Sequence, residues 1–464
     1  MKKKKILLMS DDLRMHSGVA CVSKDIVLGT IHHYDWVQMA GAIKHPDEGK
    51  IVDMAEAVKN ENGIENPYLK VYPISGYGNP DILRQVIDIE KPDAILHYTD
   101  PRFWIWFYNM EHEVRTKIPI FYYNIWDDLP DPLYNTNYYK SSDLLMAISK
   151  QTYGINKRIL HEYENWQVTY VPHGINKKRF YKIEDKGDTK FKQFESKYGL
   201  DKYSFKILYS NRNIRRKVPG DCLMAYKYFM DKLTPEQRKE CVYVFHSAPS
   251  DENGTDMRAV HQAMCPEYPI IFTYDKGGPL DDEQMNFLFN STDVYMNLAS
   301  NEGFGLGSAE ALTVGTPIIV NVTGGLQDQC GFKKSFNNDG DLIGWSYLTH
   351  EDYIELGSNH RGKYKEHGEW VKPVFPSNIS LQGSPMTPYI FDDRCQYEDA
   401  GKALRYWYDK GPEEREKCGE LGRQFVKDKN IGMDGDEMNR RFIKSMDTAF
   451  ENWKPKENYT LEVV

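Results

Sequence analysis

The chain has 464 residues, seven cysteines and a formal net charge of −9, from 59 Lys+Arg against 68 Asp+Glu. That length exceeds one ordinary hydrophobic core and predicts two domains, while a mildly acidic balance in both halves argues against a nucleic-acid platform. The cysteines are odd in number, scattered and without CxxC spacing, which speaks against a disulfide framework or zinc site and fits a reduced, cytoplasmic setting.

Lys2 to Lys5 resemble the charged start of a signal peptide, but the apolar run behind them, 6–9, is too short for one. No apolar stretch nears the roughly 20 residues of a bilayer span, so membrane contact is expected to be peripheral at most. Residues 6–10 read as a first strand and 11–17 as a polar loop ending at Gly18. Val19, Val22, Ile26, Val27 and Ile31 then recur at helical spacing. This start carries no GxGxxG, so a dinucleotide fingerprint is missing. Further strands are predicted at 36–42, 94–97, 119–125, 144–148 and 168–171, with a helix at 81–89 that Pro92 ends. Aromatics concentrate in 97–108 and 121–139, where planar rings fill cores or stack on sugar faces.

Residues 181–203 are lysine-rich and weakly periodic, as suits a linker with a short helix. A second series of strands follows at 205–210, 241–246, 270–274, 293–298 and 317–322, with helices such as 221–233 and 281–290 between them. Residues 331–394, rich in Gly, Asn, Ser and Pro, break this rhythm and read as loops with a hairpin. From Tyr397 the chain is helical through Trp453, with breaks at Gly411-Pro412 and Gly432. Strands alternating with helices predict an α/β fold of two tandem Rossmann-like, doubly wound domains that face each other across a cleft, with C-terminal helices crossing back to the first. The expected division is 1–180, completed by a helix at 435–464, and 181–434, with an elaborated insertion at 331–394. Hinges are expected at 174–204 and 395–400.

The most informative stretch is 291–328, STDVYMNLASNEGFGLGSAEALTVGTPIIVNVTGGLQD. It reads as strand, glycine-rich loop, helix, turn and strand. Gly303, Phe304, Gly305 and Leu306 open the helix, where free N–H groups and the positive end of the dipole attract phosphate. Glu302 in the loop and Glu310 in the helix can each accept hydrogen bonds from hydroxyls. Phosphate together with a polyol describes a nucleotide-sugar.

Read with its flanks, 282–328 resembles the E-x7-E segment of the retaining glycosyltransferases of family four, which have the GT-B arrangement. Three other patches agree with that resemblance. Residues 170–176, YVPHGIN, resemble the family's P-N-G-V-D element, with His173 in place of Asn. Arg212 and Lys217 resemble its Arg…Lys pair, and Ser17-Gly18 lies where the family places a glycine loop near the reacting sugar. The first domain matches loosely and 331–394 not at all.

The resemblance implies a soluble hexosyltransferase that takes a sugar from a UDP- or GDP-type donor, bound to the second domain. The sugar passes to a hydroxyl acceptor, expected to be a carbohydrate, on the first domain, with retention of configuration. It implies that Glu302 holds donor-sugar hydroxyls and Glu310 the ribose. Arg212 and Lys217 would neutralise the leaving diphosphate, with Arg215 and Arg216 as possible substitutes. Gly303 to Leu306 would lend backbone donors, Gly18 would approach the donor, and His173 would sit on the donor side. Asp127 stands near where the family often has His; it orients the acceptor hydroxyl or the sugar, or else caps the turn before Pro130 with Asp128. His97 ends a strand and reads equally as structural. No cofactor and no metal are expected, because basic residues and helix ends serve the diphosphate. Asp339-Gly340-Asp341 and Asp434-Gly435-Asp436 then read as turns rather than metal motifs. A non-catalytic GT-B sugar-binding or regulatory subunit is the main rival reading, and a DNA-base glucosyltransferase another.

Overall fold

The structure, a computed structural model, describes residues 2–44, 46–338, 341–356, 360 and 362–457. In chain order β1 (Lys4–Asp11), β2 (Tyr34–Gly41), β3 (Val52–Asp53), β4 (Leu69–Pro73), β5 (Ala94–Tyr98), β6 (Ile120–Asn124), β7 (Leu144–Ala147) and β8 (Val168–Tyr170) form a first sheet. Its spatial order is β3-β4-β2-β1-β5-β6-β7-β8, parallel except for the antiparallel β3–β4 pair. Next come β9 (Phe205–Ser210), β10 (Cys241–His246), β11 (Ile270–Phe272), β12 (Val294–Asn297) and β13 (Ile318–Asn321). The last strands are β14 (Lys333–Asn338), β15 (Asp341–Tyr347), β16 (Val371–Val374), β17 (Asn378–Ser384) and β18 (Thr387–Arg394). The second sheet, wholly parallel, runs β11-β10-β9-β12-β13-β16.

These strands form where apolar runs can be buried on both faces, as parallel sheets require; Ile6, Leu7, Leu8 and Met9 in β1 have no exposure. In each sheet the strand order reverses once, between β1 and β5 in the first and between β9 and β12 in the second. Loops leaving the carboxyl ends of strands beside such a reversal diverge and leave a crevice, the usual ligand position in open α/β sheets. The fold is therefore the GT-B arrangement of two Rossmann-like sheets.

Two details depart from the sequence reading, and a third decides between its alternatives. Residues 331–394 hold two antiparallel hairpins, β14–β15 and β17–β18, rather than one, and also supply β16, an edge strand of the second sheet. The rings of 97–108 and 121–139 mostly fill the core: Trp104, Phe107, Tyr122, Tyr123 and Tyr139 are at most 1% exposed. The chain does not cross between the sheets at the expected hinge 395–400. The helix Tyr397–Lys427, kinked at Gly411 (φ 72°), packs on the second-sheet helices Pro219–Asp231 and Leu306–Val314. The helix Gly435–Asn452 packs instead on Gly18–Thr30 of the first unit. The crossing is thus the short segment 428–434, and it pairs with the outgoing connection. Ile175 donates its backbone N–H to Met433 O at 2.9 Å and accepts from Gly435 N at 3.1 Å.

Among the described residues no helix is long and apolar enough to cross a membrane. Asp339 and Gly340 lie outside the described residues, whereas Asp434 is the N-cap of the last helix and accepts from Asp436 N at 2.9 Å.

Candidate active site

The two strands flanking the reversal of the second sheet deliver the central pair. The loop after β9 carries Lys217, in a short 3-10 turn Arg215–Lys217, and the loop after β12 carries Glu302. Their side chains form an ion pair, with Lys217 8% and Glu302 9% exposed. Burial pushes the Lys217 ammonium down to about 8, helped by the neighbouring Arg216 and opposed by Glu302. Burial alone would raise the Glu302 carboxyl, but Lys217 and Arg216 outweigh it and hold it below its ordinary range. A buried charge pair of this kind is costly unless something else needs the two charges there.

The loop geometry follows from its hydrogen bonds. Ser300 N donates to Arg216 O at 2.8 Å, and Arg216 Nη1 donates to Asn301 O at 2.8 Å, tying the β9 and β12 loops together. Glu302 O accepts from Gly325 N at 2.8 Å, and a Cβ on Gly324 would lie 2.0 Å from Glu302 O, so the Gly324-Gly325 turn is bare because the loop packs directly on it. Gly305 (φ 90°) turns the chain into the helix Leu306–Val314, which begins without a side-chain cap. Ser308 N and Ala309 N donate to Gly305 O, while Leu306 N and Gly307 N have no partner among the described residues and are left for a ligand or solvent. Gly18, at the start of the helix Gly18–Thr30, faces this spot; a Cβ there would meet Leu306 Cδ1 at 3.4 Å. Two helix N-termini therefore converge from the two sheets.

Glu310 lies further along the same helix, and among the described residues no protein hydrogen bond or ion pair holds its carboxylate. Burial raises it to about 7, with Asp25 and Asp282 adding to the rise and Arg179 opposing it. Asp25 accepts from Asn176 Nδ2 at 2.8 Å and lies 3.6 Å from Arg179. The connection between the sheets thus meets the first-unit helix beside Glu310.

The other predicted residues divide. Asp127, after β6, comes to the site: Arg216 Nη1 lies 3.3 Å from its Oδ2. Its neighbour Asp128 is buried and raised by burial and by Asp127. Phe304 is 2% exposed, and its ring stands edge-on to His173, centroids 5.2 Å apart. His173 itself is buried between Tyr123 OH (2.8 Å from Nδ1) and Tyr98 OH (3.3 Å from Nε2). Burial lowers it to about 3, so it is a neutral core group that props Phe304. His97 is likewise buried, on Tyr108 OH at 2.7 Å. Arg212 is not brought to the pair. Its side chain is 65% exposed and sits 3.0 Å from Asp251. Arg216, which the sequence reading named with Arg215 as a substitute, is the arginine beside the pair and directly precedes Lys217 in the turn.

Sequence reasoning missed the part played by 331–394. Asn301 Nδ2 donates to Phe391 O at 2.6 Å, and Thr323 Oγ1 donates to Asp393 at 2.7 Å, which ties β18 to the site loops. The same hairpin reaches the first unit, where Tyr389 OH accepts from Leu133 N at 3.1 Å and Tyr134 OH donates to Tyr389 O at 2.9 Å. A second bridge is Asp328, buried, which accepts from Lys150 N at 2.9 Å and Tyr170 OH at 3.2 Å. The arrangement is closed. Between Asp127, Gln151, Asn301, Thr323 and Asp393 only about 10 Å³ is left, space for about one water.

No protein-family model matches the chain. Over 204 residues it is 25% identical to a D-inositol 3-phosphate glycosyltransferase of Streptomyces scabiei, covering 43% of this chain and 44% of that protein. Over 186 residues it is 25% identical to an alpha-monoglucosyldiacylglycerol synthase of Acholeplasma laidlawii, covering 40% and 43%. The chain thus spans less than half the length of the curated relatives it matches. Among solved structures, Anabaena HepE in complex with UDP and glucose superposes with a TM-score of 0.63 at 11% identity, over 96% of this chain and 100% of that one. A sucrose-phosphate synthase from Thermosynechococcus elongatus does so with a TM-score of 0.62 at 14% identity, over 97% and 100%. At these identities the likeness is one of fold, and the fold is that of GT-B glycosyltransferases.

Proposed function

We propose that this protein is a glycosyltransferase that moves a sugar from a nucleoside diphosphate sugar to a hydroxyl acceptor, with retention of configuration and without a metal or other cofactor. The observation that carries this is the buried Lys217–Glu302 pair at the uncapped start of the helix Leu306–Val314, with Arg216 beside it. The curated relatives named above are glycosyl-transferring proteins, and HepE was solved with UDP and glucose, which supports a nucleotide-sugar donor. The donor belongs on 181–434 and the acceptor, a carbohydrate, on 1–180 completed by the last helix.

In this reading the diphosphate settles on the free N–H groups after Gly305. Lys217 exchanges its contact with Glu302 for a phosphate oxygen, and Glu302 is released to accept hydrogen bonds from the donor sugar. Arg216 swings from Asp127 to the diphosphate, so positive charge meets the negative charge that develops as the glycosidic bond breaks. Asp127, freed of its partner, orients the acceptor hydroxyl. The acceptor oxygen attacks the anomeric carbon from the face on which the diphosphate leaves. The new C–O bond forms as the bond to the diphosphate oxygen breaks, the hydroxyl proton passes to the departing diphosphate, and configuration is retained. Glu310 accepts from the ribose. Glu302 and Glu310 serve different parts of one donor and are not an acid–nucleophile pair. Seven free cysteines fit a cytoplasmic setting.

Thermal melting with UDP, GDP, ADP and their sugars tests the donor assignment, because a ligand at a hundred times its Kd adds about 2.7 kcal/mol to stability. One nucleotide series should raise Tm in the wild type and far less in Lys217→Ala. No shift with any nucleotide would overturn the reading and leave a non-catalytic GT-B subunit as the better account.

A further inference from the structure

Behind the closed site, where the two connections between the sheets run side by side at Ile175 and Asp434, the surface is hollowed into a cavity of about 570 Å³. That is the size of a small-molecule pocket. Its floor is apolar: Ile175, Phe180, Val426 and Met433 are all under 5% exposed. The ring of Tyr181 stands 47% exposed at its wall.

The charges around it are unequal in what they are free to do. The acidic groups are committed, since Asp434 caps the last helix, Asp436 is paired with Lys177, and Glu437 is held by Arg440 and Arg441. Lys182 and Arg423 reach outward to Glu416 and Glu420. Lys427 and Lys429, which also line the cavity, have no acidic partner among the described residues. A concavity with an apolar floor, neutralised acids and two uncompensated ammonium groups concentrates anions. Lysine is suited to a phosphate as a point charge.

We propose that this cavity binds a small phosphorylated molecule and that its occupancy is coupled to the active site. Thr313 forms part of the lining and sits at the far end of the helix that starts at Leu306, about 10 Å along the axis from the site loop. The other walls come from both crossings, so a ligand here contacts the segments that must bend for the closed cleft to open. Such coupling is reciprocal: whatever factor the ligand applies to nucleotide affinity, the nucleotide applies to the ligand.

Calorimetric titration of the full chain with inorganic phosphate, glucose 6-phosphate and AMP, on the wild type and on Lys427→Gln/Lys429→Gln, decides the matter. The expected result is saturable one-to-one binding of at least one probe and a tenfold or greater weakening in the double variant, whose melting temperature stays that of the wild type. Equal affinity for all three probes identifies free phosphate as the ligand, and a preference for glucose 6-phosphate or AMP identifies an ester. No saturable binding of any probe, or unchanged binding in the double variant, overturns the inference. UDP titrated in parallel keeps the two questions apart. Failure of UDP to bind defeats the donor assignment and leaves this site standing, whereas UDP binding with no probe effect defeats this site alone.

Discussion

Arg212 and Arg216 separate the side chain that looks right in a motif from the one that is in place. Arg212 makes an exposed ion pair with Asp251, a contact worth at most about 1 kcal/mol. Arg216 bridges Asn301 and Asp127 beside the buried Lys217–Glu302 pair. Arg216→Ala should therefore lower kcat/KM for the donor by about a hundredfold, the scale of losing one stabiliser of developing charge. Arg212→Ala should lower it by no more than about fivefold. The reverse ranking would return Arg212 to the diphosphate. A pH profile tests the carboxylate and the ammonium together. Glu310 keeps its proton up to about 7 and Lys217 loses its own above about 8. Nucleotide affinity should then climb as pH rises through 7, when Glu310 becomes a carboxylate and accepts more strongly from ribose hydroxyls, and fall above 8, when Lys217 turns neutral. Calorimetric Kd values for UDP from pH 6 to 9 should show this maximum, and Glu310→Gln should flatten the acidic limb. A flat profile in the wild type would remove Glu310 and Lys217 from the nucleotide.

At the scale of elements, the strand–loop–helix from β12 through Leu306–Val314 was legible because its glycines, its apolar run and its carboxylates each point to one local structure. Gly305 needs its positive φ, and Gly324 needs to lack a Cβ, for reasons that local sequence already hints at. The hairpin β17–β18 was not legible as part of the site. Its strands are half-exposed and polar, so no hydrophobic period announces which face docks, and its partners 129–134 lie some 250 residues earlier. Its role as a strap across the cleft mouth can be checked at one atom. Tyr389→Phe removes the hydroxyl that accepts from Leu133 N and donates to Asp131 O, leaving Leu133 N its other acceptor, Asp131 O at 2.9 Å. Amide exchange at Leu133 should accelerate about fivefold, as the loss of a hydrogen bond worth about 1 kcal/mol implies. Unchanged exchange would mean that the strap does not hold this loop.

For the whole molecule, the two sheets followed from alternating strands and helices, and nearly every predicted strand is present to within two residues. The hinge expected at 395–400 is not where the chain crosses, because the helix from Tyr397 through the kink at Gly411-Pro412 stays with the second sheet. What decides the crossing is a tertiary fact, the pairing of Ile175 with Asp434 and the docking of Gly435–Asn452 on Gly18–Thr30. Closure likewise depends on contacts between distant segments, such as Asp328 with Lys150 and Tyr170, which no local pattern encodes. The closed cleft places Asp127 of one unit against Arg216 of the other, beside Glu302, and the proposed transfer depends on that meeting. The direct test is release of nucleoside diphosphate from a panel of UDP- and GDP-sugars by the wild type and by Glu302→Ala, with folding checked by circular dichroism. The account predicts release from at least one donor by the wild type and a rate about a hundredfold lower in the variant. Equal rates in the two proteins, or no release from any donor, would contradict it.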